Sequence, residues 1–153
     1  MTQVLFVCAG NICRSPLAAA LLARALRARS RHGIAVASAG LVAIENDVAI
    51  EATRAAGRRV GVDLSGHRAR RFHAALVGPG DLVLVMEKSQ RDEVLAASGL
   101  APQAVRLLGS LLPGPEEIAD PGGQDEAAFT FCAERIAACV ERLAIELGDQ
   151  DRS

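Results

Sequence analysis

The chain has 153 residues, half of them hydrophobic and 23% charged, with a formal net charge of −1. That length can bury one proper core and is read as a single domain over residues 1–153; the near-neutral balance excludes a global field drawing it to nucleic acid or a membrane surface. Its four cysteines, Cys8, Cys13, Cys132 and Cys139, are too few and too clustered for a secreted disulfide framework.

The opening "MTQVLFVCAG" lacks the basic start and long apolar run of a signal peptide, and Arg24 and Arg27 break the apolar stretch that follows. The expected location is the cytoplasm, with no membrane insertion. "VLFVCAGNICRSPL" (4–17) reads as a short buried strand, a tight loop and a helix start. Asn11 tolerates a left-handed backbone, and Ser15 before Pro16 reads as an N-cap with proline at the first helical position. "LAAALLARALRAR" continues the helix. "GIAVASAG" (33–40) is a second strand, followed by a helix near 48–58. "GVDLSGHRARRF" is a polar connection with a helix start expected around Arg68. "DLVLVM" (81–86) is a third buried strand, "EKSQRDEVLAAS" its helix, and "QAVRLL" (103–108) a short fourth strand. After a Pro- and Gly-rich loop, a last helix carries Phe129, Cys132, Ile136, Cys139 and Leu143 on one apolar stripe.

Strands alternating with helices predict an α/β fold: a four-stranded parallel sheet with helices on both faces and an N-terminal phosphate-binding loop. Ligands of such sheets bind beyond the carboxyl ends of the strands, where the 8–15 and 108–124 loops both lie. A strand–loop–helix turn aims backbone N–H groups and a positive helix end at one small volume, which suits an anion.

Cys8 opens that loop and Arg14 closes it, with five residues between. Thiolate, the nucleophilic form of a thiol, is favoured by helix N-termini and adjacent cations. Such a sulfur would sit on the floor of an oxyanion cradle, with Arg14 as a planar two-pronged donor to a phosphoryl group and Ser15 donating to the sulfur as it leaves. The bland alternative is a buried structural cysteine. A leaving oxygen also needs an acid. Asp120, before Pro121, is the candidate and Asp125 its rival; an aspartate before proline is equally a turn residue. His67 could titrate in catalysis or serve as a support. His32, His67 and His73 have no tight ligand spacing with the cysteines, so no metal is expected. Cys132 and Cys139 share one helix face and read as core.

"CAGNICRSP" resembles the phosphate-binding loop of the low-molecular-weight protein-tyrosine phosphatases, and "SAG" (38–40), "GHRAR" (66–70), "DLVLVMEK" (81–88) and "DP" (120–121) extend the resemblance along the chain. It implies hydrolysis of phosphotyrosine through a cysteinyl-phosphate intermediate, with no cofactor. Cys8 would be the nucleophile, Arg14 the phosphate clamp and Asp120 the acid and then the base. Ala9, Gly10, Asn11, Ile12, Cys13 and Ser15 would hold the substrate. His67 would be structural, bonded to Asn11 and to Ser38. Cys13 would form a reversible disulfide with Cys8, or else simply pack the loop.

In this family a threonine at position 12 goes with phosphoarginine; Ile12 therefore implies an aryl phosphate. Gly122 and Gly123 stand where many members carry two aromatic residues, and the other rim, at Ile44, is only aliphatic, so a more open cleft is expected. "LSGHRAR", "VMEK", "RLLGS" and "EEIADP" are most similar to bacterial members encoded with capsule and exopolysaccharide machinery. The implied partner is a phosphotyrosine protein, in that subgroup the autophosphorylated tail of a membrane tyrosine kinase, and the chain is expected to be a monomer that binds no nucleic acid. The alternatives are an arsenate reductase or phosphoarginine phosphatase of the same fold, or a non-enzymatic phosphate-binding module.

Overall fold

Four strands make one parallel sheet: β1 (Gln3–Cys8), β2 (Ala35–Gly40), β3 (Leu82–Val85) and β4 (Val105–Leu107), in the order β2-β1-β3-β4. The computed structural model describes residues 3–150; residues 1–2 and 151–153 of the 1–153 span, and so the first two residues of the leading segment, lie outside the described residues. β1 is central because it pairs with β2 over Gln3–Cys8 and with β3 over Val4–Val7. Its alternating side chains divide the core in two. Val4, Phe6 and Cys8 join a cluster with α1 (Arg14–Ala28), α2 (Glu51–Arg59) and α4 (Glu126–Gln150). Leu5 and Val7 face Phe72 and Val94, the latter on α3 (Lys88–Ser98), across the other side. The stripe of Phe129, Cys132, Ile136, Cys139 and Leu143 is buried throughout. No described helix is long and apolar enough to cross a membrane.

Two local expectations are corrected. No helix begins at Arg68. That segment is extended, bridging Gly40 to Arg71, and the first helical turn after it is a short 3-10 turn at Ala74–Leu76. The backbone explains this: Ala69 exchanges bonds with Asn46 and Asp47, and Gly40 donates to Arg70 O and accepts from Phe72 N. Groups a helix would need are already paired. The second correction is Ser15, which does not cap α1. The helix starts two residues earlier, at Arg14, with Cys13 at the N-cap and no side-chain cap bond. Pro16 still falls within the first turn, where its missing N–H costs nothing.

Because all four strands are parallel, their carboxyl ends share one edge. Residues 9–13 leave β1 there, Met86 and Glu87 leave β3, and Leu108 leaves β4. That edge carries the candidate site.

Candidate active site

Cys8 ends β1 with its side chain 2% exposed, and its Sγ lies 2.9 Å from Ser15 Oγ. The loop after it is bent by Asn11, whose φ of 55° is in the left-handed region that asparagine accepts better than most residues. Leu41 N and Val42 N donate to the carbonyls of Cys8 and Ala9, His67 Nε2 to Asn11 O at 2.6 Å, and Ile50 N to Ile12 O. A trans peptide points its N–H opposite its C=O. Holding those four carbonyls outward therefore turns the N–H groups of Ala9, Gly10, Ile12 and Cys13 inward, over the sulfur. The result is an anion cradle built from backbone.

Buried side chains lock the cradle. Asn11 Nδ2 donates to Ser15 Oγ at 2.8 Å and to Ser38 Oγ at 2.9 Å, while its Oδ1 accepts from Arg70 N at 2.9 Å. Ser38 thus reaches the loop through the Asn11 amide, and His67 through the Asn11 carbonyl. Since Ser15 Oγ already accepts from Asn11, its one proton is left for an acceptor, and Cys8 Sγ is nearer than Ala39 O, at 2.9 against 3.4 Å. The hydroxyl missing from the helix cap is spent on the sulfur.

Arg14 is almost fully buried, and its Nη1 donates to Glu87 Oε2 at 2.8 Å and to Ile118 O at 2.7 Å. Burial alone would lower its pKa; the hydrogen bond to Glu87, with the charges of Cys8, Glu87 and Asp120, outweighs that and holds it raised. A fixed, permanently cationic fork results. Glu87 is itself fixed, since its side chain accepts from Gln90 Nε2 at 3.1 Å in the cap of α3.

Asp120 hangs at the rim, its Oδ2 3.9 Å from Arg14 Nη2 and its Oδ1 accepting from Gly122 N at 2.9 Å. Its rival Asp125 instead accepts from Ala128 N at 3.0 Å, ahead of the first residue of α4. Across the opening, Val42, Ile44 and Val48 are exposed on the segment whose backbone braces the loop. No aromatic side chain stands at 122 or 123, and Gly123, with φ of 79°, occupies a conformation that side chains resist.

All four cysteines are free thiols. Burial pushes Cys13 up to about 12, against the lowering effect of the hydroxyl of Thr53, which donates to its sulfur at 3.1 Å. It therefore stays protonated at neutral pH and cannot compete as nucleophile. Burial likewise pushes Cys132 up to about 11, and it feels the charges of Arg14, Asp120 and Cys8. Cys132 is core, as the helix stripe implied, but core lying against the acid loop, with Sγ 4.0 Å from Ala119 O.

Sequence reasoning named Cys8, Arg14, Ser15, Asn11, Ser38, His67 and Asp120, and the structure brings them to one edge. It missed Glu87, Thr53 and the carbonyl of Ile118. Glu87 carried one usable signal: it leaves the carboxyl end of β3, the edge at which such sheets bind ligands. A carbonyl leaves none.

A family model described as "Low molecular weight phosphotyrosine protein phosphatase" matches residues 3–153. A probable low molecular weight protein-tyrosine-phosphatase, EpsP, of Ralstonia nicotianae is 36% identical over 138 residues, covering 90% of each chain. The crystal structure of the tyrosine phosphatase Wzb from Escherichia coli K30, in complex with sulphate, is 32% identical and superposes with a TM-score of 0.86 over 95% of this chain and 98% of its own. The YwlE arginine phosphatase from Geobacillus stearothermophilus superposes with a TM-score of 0.85 at 28% identity, over 98% of this chain and 95% of its own.

Proposed function

The chain belongs to the low molecular weight phosphotyrosine protein phosphatase family and is an enzyme of the protein-tyrosine-phosphatase class, and from that premise we propose that Cys8, Arg14 and Asp120 carry the reaction. The phosphoryl group enters the cradle with its oxygens on the inward N–H groups and the Arg14 fork. Cys8 Sγ attacks phosphorus, the bond to the tyrosyl oxygen breaks, and protonated Asp120 gives its proton to that oxygen. The carboxylate so formed takes a proton from water. The resulting hydroxide attacks phosphorus, the S–P bond breaks, and Ser15 Oγ–H supports the departing thiolate across the 2.9 Å contact. Phosphate leaves and the enzyme is restored, with no metal ion in any step. The observation that carries this reading is the set of outward-held carbonyls around a buried thiol, with a buried arginine beside it.

Ile12 and the exposed aliphatic rim support an aryl phosphate over a guanidinium phosphate. The subgroup resemblance at 64–70 and 116–121 supports a phosphorylated kinase tail as the protein substrate, and a flexible tail suits an open cleft. One substrate panel tests the reading: phosphotyrosine peptide, phosphoarginine peptide, and arsenate with thioredoxin, all in chelator. Phosphotyrosine turnover is expected to exceed phosphoarginine turnover by about tenfold or more, the scale of a pocket-shape discrimination, with no arsenate reduction. Dominant release from phosphoarginine would transfer the chain to the other substrate class.

The packing beneath the cradle makes a second expectation. A Cβ on Gly40 would lie 2.7 Å from both Ala9 O and Asn11 N, backbone atoms that cannot swing aside. Gly40→Ala is therefore expected to displace the loop and lower kcat/KM for para-nitrophenyl phosphate by about 100-fold, the cost of misplacing a site by an ångström. A wild-type rate in that variant would mean that the loop tolerates displacement and is not the catalytic cradle.

A further inference from the structure

A cavity of about 290 Å³ lies between the acid loop and α4, and nothing in the mechanism uses it. Pro115, Ile118, Pro121, Ala128, Phe131 and Cys132 give it an apolar lining. Arg135 stands at its edge, its Nη2 held by the carbonyls of Gly109 and Pro115 at 3.1 and 3.2 Å, so the one cation of the lining is fixed at the margin rather than in the space. Phe131 is 74% exposed and off the buried stripe of α4, so packing within this chain does not account for an aromatic ring there. Cavity and cleft share one bordering residue: Asp120 lines the cavity, while its carboxylate stands 3.9 Å from Arg14.

We propose that this cavity takes an apolar or aromatic side chain of the phosphoprotein substrate, a few residues from the phosphotyrosine, so that the bound segment straddles the acid loop. The inference rests on the phosphotyrosine hydrolase reading above. Its occupant is argued from that shared border. A chain whose phosphotyrosine is in the cradle must leave across the acid loop or across the opposite rim, and at Gly122 and Gly123 the acid loop adds no side chain to the ridge. A Cβ at Gly123 would meet nothing within 4 Å, so the way over is open. The volume suits one large apolar side chain, and an apolar pocket of this kind rewards burial of that side chain rather than a charged one. Glu117 and Asp120 outnumber Arg135 on its margin, which disfavours acidic residues beside the anchor. Grip absent at the ring, for want of aromatic walls, is supplied beyond it.

The test uses peptides with one phosphotyrosine in a glycine–serine host, a phenylalanine being moved through the flanking positions, compared with free phosphotyrosine. In the wild type one register is expected to raise kcat/KM about tenfold over the host peptide, mainly through KM, as for one hydrophobic pocket contact. Phe131→Glu and Ala128→Arg are expected to shrink that advantage to about twofold or less while leaving turnover of free phosphotyrosine at the wild-type rate. Equal kcat/KM for all registers in the wild type, or a preference that survives both variants, overturns the proposal. So does a dimer, seen by sedimentation, that Phe131→Glu dissociates with no register preference, since the occupant would then be a second copy. Failure of the wild type to hydrolyse free phosphotyrosine would be a different result, sinking the hydrolase reading itself and the proposal with it.

Discussion

Cys8→Ser is expected to abolish turnover while leaving the oxyanion site able to bind phosphate. A serine hydroxyl in place of the thiol is a far weaker acid, so it supplies little anionic nucleophile at neutral pH, and any phosphoserine formed there turns over slowly because an alkoxide leaves less readily than a thiolate. The N–H groups of residues 9, 10, 12 and 13 are oriented by carbonyl bonds to Leu41, Val42, Ile50 and His67, none of which the substitution touches. Arg14 keeps Glu87 and Ile118. The loss in kcat is expected to be on the order of 10⁴-fold or more, the scale seen when a covalent nucleophile is removed. Steady-state turnover of phosphotyrosine and calorimetric binding of inorganic phosphate measure the two halves. Retained turnover would take the nucleophile away from Cys8; lost phosphate binding would mean that the thiol, and not the backbone, organises the cradle.

Asp120→Asn is expected to slow phosphotyrosine by about 10²–10⁴-fold, the usual contribution of a general acid, and para-nitrophenyl phosphate far less. The tyrosyl oxygen has a high pKa and needs the proton as it departs, whereas an activated aryl oxide leaves with little help. Asparagine preserves much of the local structure, because an amide oxygen can still accept from Gly122 N as Asp120 Oδ1 does at 2.9 Å. A loss that depends on leaving group therefore reports the proton and not a collapsed loop. Asp125→Asn is the matched control. Its carboxylate accepts from Ala128 N at the start of α4, so the expected cost is to helix stability, at most about 1 kcal/mol for a conservative cap exchange. Should the leaving-group dependence arise in Asp125→Asn and be absent from Asp120→Asn, the acid has been misassigned.

The difference between these two aspartates shows where sequence reasoning stops. Both lie in the same loop and both suit a turn; local reading sets Asp125 in the first turn of the last helix, but it cannot say where either carboxylate goes. What separates them is that Asp120 returns to within 3.9 Å of Arg14 across more than a hundred residues of chain, while Asp125 bonds three residues ahead of itself. The pairing of Glu87 and of the Ile118 carbonyl with Arg14 was illegible for the same reason. Their role is a distance to a guanidinium 73 and 104 positions away.

Local chemistry alone determined a great deal. An apolar β-branched run, an asparagine able to take φ of 55° and a strong helix former after it specify strand, loop and helix within about 20 residues, because each is a short-range backbone preference. The alternation of such units specified a parallel sheet, and the parallel sheet placed the loops at one edge. Tertiary structure decided the rest. It drew Ser15 out of the helix cap and onto the sulfur, and it held the segment around Arg68 extended by pairing its neighbours with Gly40, Asn46 and Asp47. It also set Cys132 behind the acid loop. Propensity and period are properties of a few consecutive residues. Burial, distance and hydrogen-bond partnership belong to whichever distant segment the folded chain brings alongside.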